Sequence, residues 1–111
     1  MNESQAIAAL GALSHETRLH IVRHLVKAGH EGDTAGSIGT AVNAAPSKIT
    51  FHISTLERAG VVSSERVSRQ IIYRIRFEQI GSLLKYLMDD CCKYHSTVLR
   101  CCGVKNVGKC C

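Results

Sequence analysis

The most reactive side chains of this chain are six cysteines, and all of them lie in its last 21 residues. They occur as three adjacent pairs: Cys91 and Cys92, Cys101 and Cys102, and Cys110 and Cys111. Adjacent cysteines bridge each other poorly because the ring that closes is strained, whereas two neighbouring thiolates can bind one soft ion. The clustering therefore predicts a site for a thiophilic ion near the C-terminal end of the chain.

The first two pairs are the candidate metal ligands: Cys91, Cys92, Cys101 and Cys102. Soft thiolates favour As(III), Sb(III), Cd(II), Pb(II) or Cu(I) over hard cations. Trivalent arsenic takes three sulfurs in a pyramid, so one thiol of the second pair would have to join the first pair. Eight residues, 93–100, separate the two pairs, which is enough for a loop to fold back.

Other chemistry is possible with the same thiols. His95 could join cysteines in a tetrahedral zinc site, and oxidation could convert the thiols to disulfides. Cys110 and Cys111 lie at the free end of the chain, where order is least expected. No role is predicted for that last pair.

Composition limits the class of protein. The 111 residues fit one domain, and 45% of them are hydrophobic, which is enough for a globular core. No apolar run is long enough to span a membrane, and the N-terminus lacks the pattern of a signal peptide. Clustered rather than dispersed cysteines favour a reducing compartment, so we expect a cytoplasmic protein.

The charged residues point to a phosphate-binding partner rather than to catalysis. Residues 46–76 contain six Lys/Arg against two Asp/Glu, a net charge of +4, which suits nucleic acid. We find no nucleophile elbow and no Gly-rich phosphate loop. The only paired carboxylates, Asp89 and Asp90, point apart on a helix, so the chain is not expected to be an enzyme.

The order of the expected elements indicates a DNA-binding fold. Apolar periodicity predicts helices over 4–13, 15–28, 35–42, 46–58 and about 78–92, and strands over 61–66 and 70–76 with a turn over 67–69. Ser14 is expected to cap the second helix, and Pro46 suits the first turn of the fourth. The pattern is that of a mainly α (α+β) winged helix-turn-helix, with five helices and a two-stranded β-hairpin wing. Residues 1–92 would form this domain and 93–111 a cysteine-rich tail.

Several motifs resemble those of the ArsR/SmtB family of metal-responsive bacterial repressors. "ALSHETRLHIVRHL" (12–25) is similar to the second-helix signature of that family, and "PSKITFHISTLERAGVV" (46–62) resembles its recognition helix. "RQIIYRI" (69–75) resembles its second wing strand. The family's best-known arsenic sensors have a cysteine pair in the first helix of the helix-turn-helix, but "GSIGTAVN" (36–43) has none. "DDCCKYH" (89–95) instead resembles the subgroup with effector cysteines at the end of the last helix.

The resemblance implies a function and a mode of assembly. It implies a homodimer formed through the first and last helices, which binds double-stranded operator DNA and is released when As(III) or Sb(III) binds the C-terminal cysteines. The alternatives that stay open are a repressor of the same fold that senses thiol oxidation or Zn, Cd or Pb, and a metal-buffering protein.

Two segments supply the candidate DNA contacts. With Ile49, Ile53 and Leu56 facing the core, the outer face of the recognition helix would carry most of them. They are Ser47, Lys48, Thr50, Phe51, His52 and Ser54 from the recognition helix, and Arg66, Arg69 and Gln70 from the wing. His52 flanks the buried stripe, so a structural role and a DNA contact are both open for it.

Overall fold

The computed structural model describes residues 1–88 of the chain. The predicted cysteine ligands, the end of the last predicted helix and the predicted tail over 93–111 lie outside the described residues. The described elements are α1 (Glu3–Leu13), α2 (Glu16–Ala28), β1 (Asp33–Thr34), α3 (Ala35–Val42), α4 (Pro46–Arg58), β2 (Val62–Val67), β3 (Gln70–Ile75) and α5 (Phe77–Met88), with a short 3-10 turn over Gly29–Glu31. Five helices and a small antiparallel sheet confirm the predicted winged helix-turn-helix.

The helix starts follow local hydrogen-bonding chemistry. Asn2 and Gln5 form a reciprocal capping box at the start of α1, in which each side chain accepts from the other residue's backbone N–H. The prediction that Ser14 caps α2 is wrong. His15 is the cap, because its Nδ1 accepts from the Thr17 N–H at 3.1 Å, while Ser14 closes the end of α1. Pro46 lies in the first turn of α4, as predicted.

The core lies where the helices meet the sheet. Ile49, Ile53 and Leu56 of α4 are fully buried, as their spacing predicts. The spacing of Leu19, Val22 and Val26 predicts an apolar stripe on α2, widened by Ile21 and Leu25, but Leu19 and Val26 are 46% and 45% exposed. The buried face of α2 is Ile21, Val22 and Leu25. Leu19 and Val26 lie about 100° around the helix from the middle of that face, so they cannot point into the same core.

The wing belongs to a three-stranded sheet rather than to an isolated hairpin. Strand β3 is central and pairs antiparallel with β2 on one side and with β1 on the other. Because β1 has two residues, no alternating pattern could reveal it in the sequence. The register pairs Val67 with Gln70, so the turn has two residues instead of the predicted three. Ser68 adopts a left-handed conformation there (φ 60°) in place of the glycine usual at such a tip.

Close packing at Gly39 positions the recognition helix. Gly39 is buried in α3, and a Cβ at this position would lie 2.7 Å from the Ala44 carbonyl oxygen. Any side chain would therefore push the turn away from α3. Asn43 begins that turn in the left-handed conformation (φ 57°), which directs the chain into α4. Among the helices that the structure describes, none is long and apolar enough to cross a membrane.

Candidate nucleic-acid interface

The outer face of α4 is a continuous exposed surface. Burial of the opposite face leaves the predicted contact residues in solvent: Ser47, Lys48, Thr50, Phe51 and Ser54, with Arg58 further along the helix. Phe51 is 64% exposed, so its ring is accessible to a partner. A surface of hydroxyls, a cation and one aromatic ring suits base edges, thymine methyl groups and phosphates.

Thr50 has a defined hydrogen-bonding polarity in this surface. Its hydroxyl donates to the Pro46 carbonyl oxygen at 3.0 Å, so the oxygen is left as an acceptor. Phosphate oxygens accept only, whereas the amino groups of adenine and cytosine donate into the major groove. In this rotamer Thr50 therefore suits a base amino group better than the DNA backbone.

The wing and the recognition helix enclose a groove. Arg69, Gln70 and Ile71 of the wing line one side, and Thr50 of α4 together with the N-terminal end of α3 lines the other. When a recognition helix lies in the major groove, side chains next to it can contact the flanking phosphates. The structure thus brings together Thr50, Arg69 and Gln70, whereas Arg66 lies exposed on β2 outside this groove.

Ion pairing decides which cations of this segment are available to DNA. Arg74 donates to Glu65 at 2.7 Å and to the His30 carbonyl oxygen at 2.8 Å, and Arg76 lies 3.6 Å from Glu78. The other four basic side chains of residues 46–76 form no ion pair with any of residues 1–88. They are Lys48, Arg58, Arg66 and Arg69. The positive charge of residues 46–76 is therefore concentrated on α4 and the wing tip.

His52 differs from its neighbours on α4, because it is half-buried. Its Nδ1 lies 3.3 Å from Nη1 of Arg18, and its ring lies 4.6 Å from that of His15, centroid to centroid. Burial lowers the pKa of His52, and the nearby His15, Arg18 and Lys48 lower it further. These effects favour the neutral form of the ring. Its contacts with Arg18 and His15 come from within the protein, and sequence periodicity could not show them.

Within the described part of the chain, His20 and His24 of α2 do not form a metal site with their neighbours. His24 Nε2 lies 2.6 Å from Asp33 Oδ2 and so ties α2 to β1. Burial opposes ionisation of Asp33, but hydrogen bonds from His24 and from the Thr34 and Ser37 groups keep its pKa below the ordinary value. Among residues 1–88, no group of three or more His, Cys, Asp or Glu is arranged to hold a metal ion.

An α-helical pair with an exposed, basic second helix and an adjoining wing defines a winged helix-turn-helix DNA-binding protein. Residues 13–65 match the family model described as a helix-turn-helix domain. The chain is 30% identical over 88 residues to the HTH-type transcriptional regulator YgaV of Escherichia coli, covering 79% of this chain and 87% of the relative.

Solved structures show the same fold. An ArsR-like transcriptional regulator from Rhodococcus superposes with a TM-score of 0.72 at 24% identity, covering 88% of this chain and 90% of that one. The homodimeric winged helix-turn-helix domain of Mb0332 from Mycobacterium bovis superposes with a TM-score of 0.63 at 23% identity, covering 84% and 86%. This chain belongs to the HTH-type transcriptional regulators, and its fold is the winged helix-turn-helix.

Proposed function

We propose that the chain is a homodimeric repressor that binds operator DNA and is released when As(III) or Sb(III) binds its C-terminal thiols. The observation that carries the DNA-binding part is the exposed face of α4 beside the wing groove, together with four cations on α4 and the wing that form no ion pair within the described residues. A bound dimer would block access of RNA polymerase to the promoter.

The apolar outer faces of α1 and α5 support the dimer. Ile7 and Leu10 on α1 are 62% and 42% exposed, and Leu84 and Leu87 on α5 are each 47% exposed. The two helices pack against each other, so a partner that covers one of them can also reach the other. Exposed apolar side chains grouped in this way are typical of an interface. A second copy related by two-fold symmetry would place two recognition helices on an inverted repeat, about 34 to 36 Å apart.

The position of the first cysteine pair supports the mechanism of release. Cys91 and Cys92 follow the last described residue of α5, Met88, within four positions. An ion bound by both thiolates and by one thiol of Cys101 or Cys102 would therefore act next to the dimer surface. If the ion binds the DNA-free form more tightly, DNA affinity falls, typically by about 5- to 150-fold in allosteric systems.

An electrophoretic mobility shift tests this proposal. The full chain is incubated with a duplex that it has selected from a randomised library, with and without arsenite. A phosphine reductant is used, because a dithiol reductant would itself bind arsenite. We expect a shifted band that arsenite abolishes for the unmodified protein but not for Cys91→Ser or Cys92→Ser.

Control variants separate the alternatives. Cys110→Ser with Cys111→Ser should respond like the unmodified protein. If release requires withdrawal of the reductant, the protein senses oxidation. If Zn(II) or Cd(II) releases the DNA and arsenite does not, the assignment of As(III) or Sb(III) as the effector is wrong. If no duplex is selected at all, the protein is better explained as a metal buffer.

A further inference from the structure

The half-buried Arg18 side chain bridges three helices of the domain. Arg18 lies on α2 and is half-buried. Its Nε donates to the Ala12 carbonyl oxygen at 2.6 Å. Ala12 lies in the last turn of α1, where backbone carbonyls have no partner within the helix. This hydrogen bond therefore holds the C-terminal end of α1 against α2.

The other end of the same guanidinium reaches the recognition helix. Nη1 of Arg18 lies 3.3 Å from Nδ1 of His52. A guanidinium can only donate, so His52 Nδ1 must be the acceptor and the ring proton must be on Nε2. The His15 ring lies beside the His52 ring at an angle of 39°, and His15 caps α2 through its own Nδ1. Arg18 therefore connects α1 to α4 with one rigid, planar group.

The direct contact between α1 and α4 needs such a connection. An open depression separates parts of the two helices, and mostly small residues line it: Ala8, Gly11 and Ala12 on α1, and Thr55, Arg58 and Ala59 at the end of α4. The buried side chains of α1 are likewise three alanines. Small side chains interlock weakly, so they do not by themselves determine how far one helix is rotated or shifted against the other. Directional hydrogen bonds can determine it.

We propose that Arg18 is a positioning residue that sets the orientation of the recognition helix relative to α1, and that His52 acts through Arg18 instead of contacting DNA. This inference rests on the proposed function, in which α1 belongs to the dimer surface. In a dimer, the bridge from Ala12 through Arg18 to His52 sets the angle at which each α4 enters its major groove.

The charges around His52 agree with this role. The groups that face the ring are Arg18, His15 and Lys48, which are cationic or can become so. A protonated His52 could not accept from Arg18 and would be repelled by it. The bridge therefore exists only with a neutral ring.

Nitrogen-15 NMR of the imidazole rings in the DNA-free protein tests the bridge without any reference to function. We expect His52 to be neutral at pH 7 and to carry its proton on Nε2. The variant Arg18→Lys keeps the charge but lacks the planar guanidinium that donates to Ala12 and to His52 at the same time. In this variant we expect a mixture of His52 tautomers. A tautomer mixture or an Nδ1-protonated ring in the unmodified protein would overturn the proposal, whether or not the protein binds DNA.

DNA binding tests the positioning role with matched variants. His52→Leu should weaken binding to the selected duplex about tenfold, comparable to one lost base contact. It should leave the salt dependence and the ranking of single base-pair substitutions unchanged, because no DNA contact is removed. His52→Gln, whose Oε1 can accept from Arg18, should restore most of the affinity. Arg18→Lys should behave like His52→Leu, and the double variant should be no weaker than either single one, since both changes break one bridge.

The opposite pattern would overturn the proposal. If His52→Leu relaxes the preference at one particular base pair, or if His52→Gln is as weak as His52→Leu, then His52 contacts DNA directly. Additive losses in the double variant would likewise show that Arg18 and His52 act independently. If the bridge is present by NMR but the unmodified protein selects no duplex, the proposed function fails while the structural bridge stands.

Discussion

Replacing Lys48 or Arg69 with alanine should flatten the salt dependence of operator binding as well as weaken it. Both side chains are exposed, one at the start of α4 and the other at the wing groove, and within the described chain neither forms an ion pair. They are therefore free to neutralise phosphates. Arg74 and Arg76, by contrast, have carboxylate partners already.

The size of the effect follows from counterion release. Each phosphate contact contributes about −0.9 to the slope of log K against log salt concentration, so the loss of one contact from each subunit should make the slope shallower by about 1.8. When the salt concentration rises from about 50 to about 200 mM, the ratio of the affinity of the unmodified protein to that of the variant should therefore fall about tenfold. Fluorescence anisotropy of a labelled duplex over a salt series measures both quantities.

Lys85→Ala is the matched control for this experiment. It removes the same charge from an exposed position in the last turn of α5, a helix that belongs neither to α4 nor to the wing. Its salt slope should equal that of the unmodified protein. If Lys85→Ala flattens the slope as much as Lys48→Ala does, the effect comes from net charge. If neither Lys48→Ala nor Arg69→Ala changes the slope, the assigned DNA surface is wrong.

Three further predictions concern packing, assembly and pH. Gly39→Ala should destabilise the domain by about 1 to 3 kcal/mol in urea unfolding, because its Cβ would press on the turn, whereas Gly36→Ala in the same helix, with open space around its Cβ, should be neutral or slightly stabilising. Leu84→Glu or Leu87→Glu should give monomers by sedimentation that no longer bind the duplex, and a dimer of unchanged strength would refute the proposed interface. The pKa of His52 is lower in the folded than in the unfolded chain, so its contribution to the free energy of unfolding should be fully present above a pH of about 6.5. That contribution should be lost as the pH drops below this value. The variant His52→Gln should show a smaller loss.

The recognition helix was predictable because its information is local. Ile49, Ile53 and Leu56 repeat at helical spacing, and once they face the core the outer residues follow from geometry. Pro46 marks the start of the helix for an equally local reason, since it lacks the N–H that a first turn leaves unpaired.

Other features depend on partners that are distant in the chain. The role of His52 depends on Arg18, which lies 34 residues earlier, and no periodic pattern shows that the two meet. Strand β1 exists because Asp33 and Thr34 pair with Tyr73 and Ile72 of β3, which lie far along the chain, and not because two residues have a strand pattern. The division of the arginines into paired and available ones likewise depends on which carboxylates the fold brings near.

Arsenite binding and operator binding, each measured in the presence and absence of the other ligand, test the central claim most directly. Linkage requires arsenite to raise the operator Kd by the same factor by which the operator raises the arsenite Kd. We predict equal factors of about 5 to 150 under a phosphine reductant, and a factor of one in Cys91→Ser. An operator Kd that stays constant while arsenite binds the protein would contradict the claim that the thiols control DNA binding.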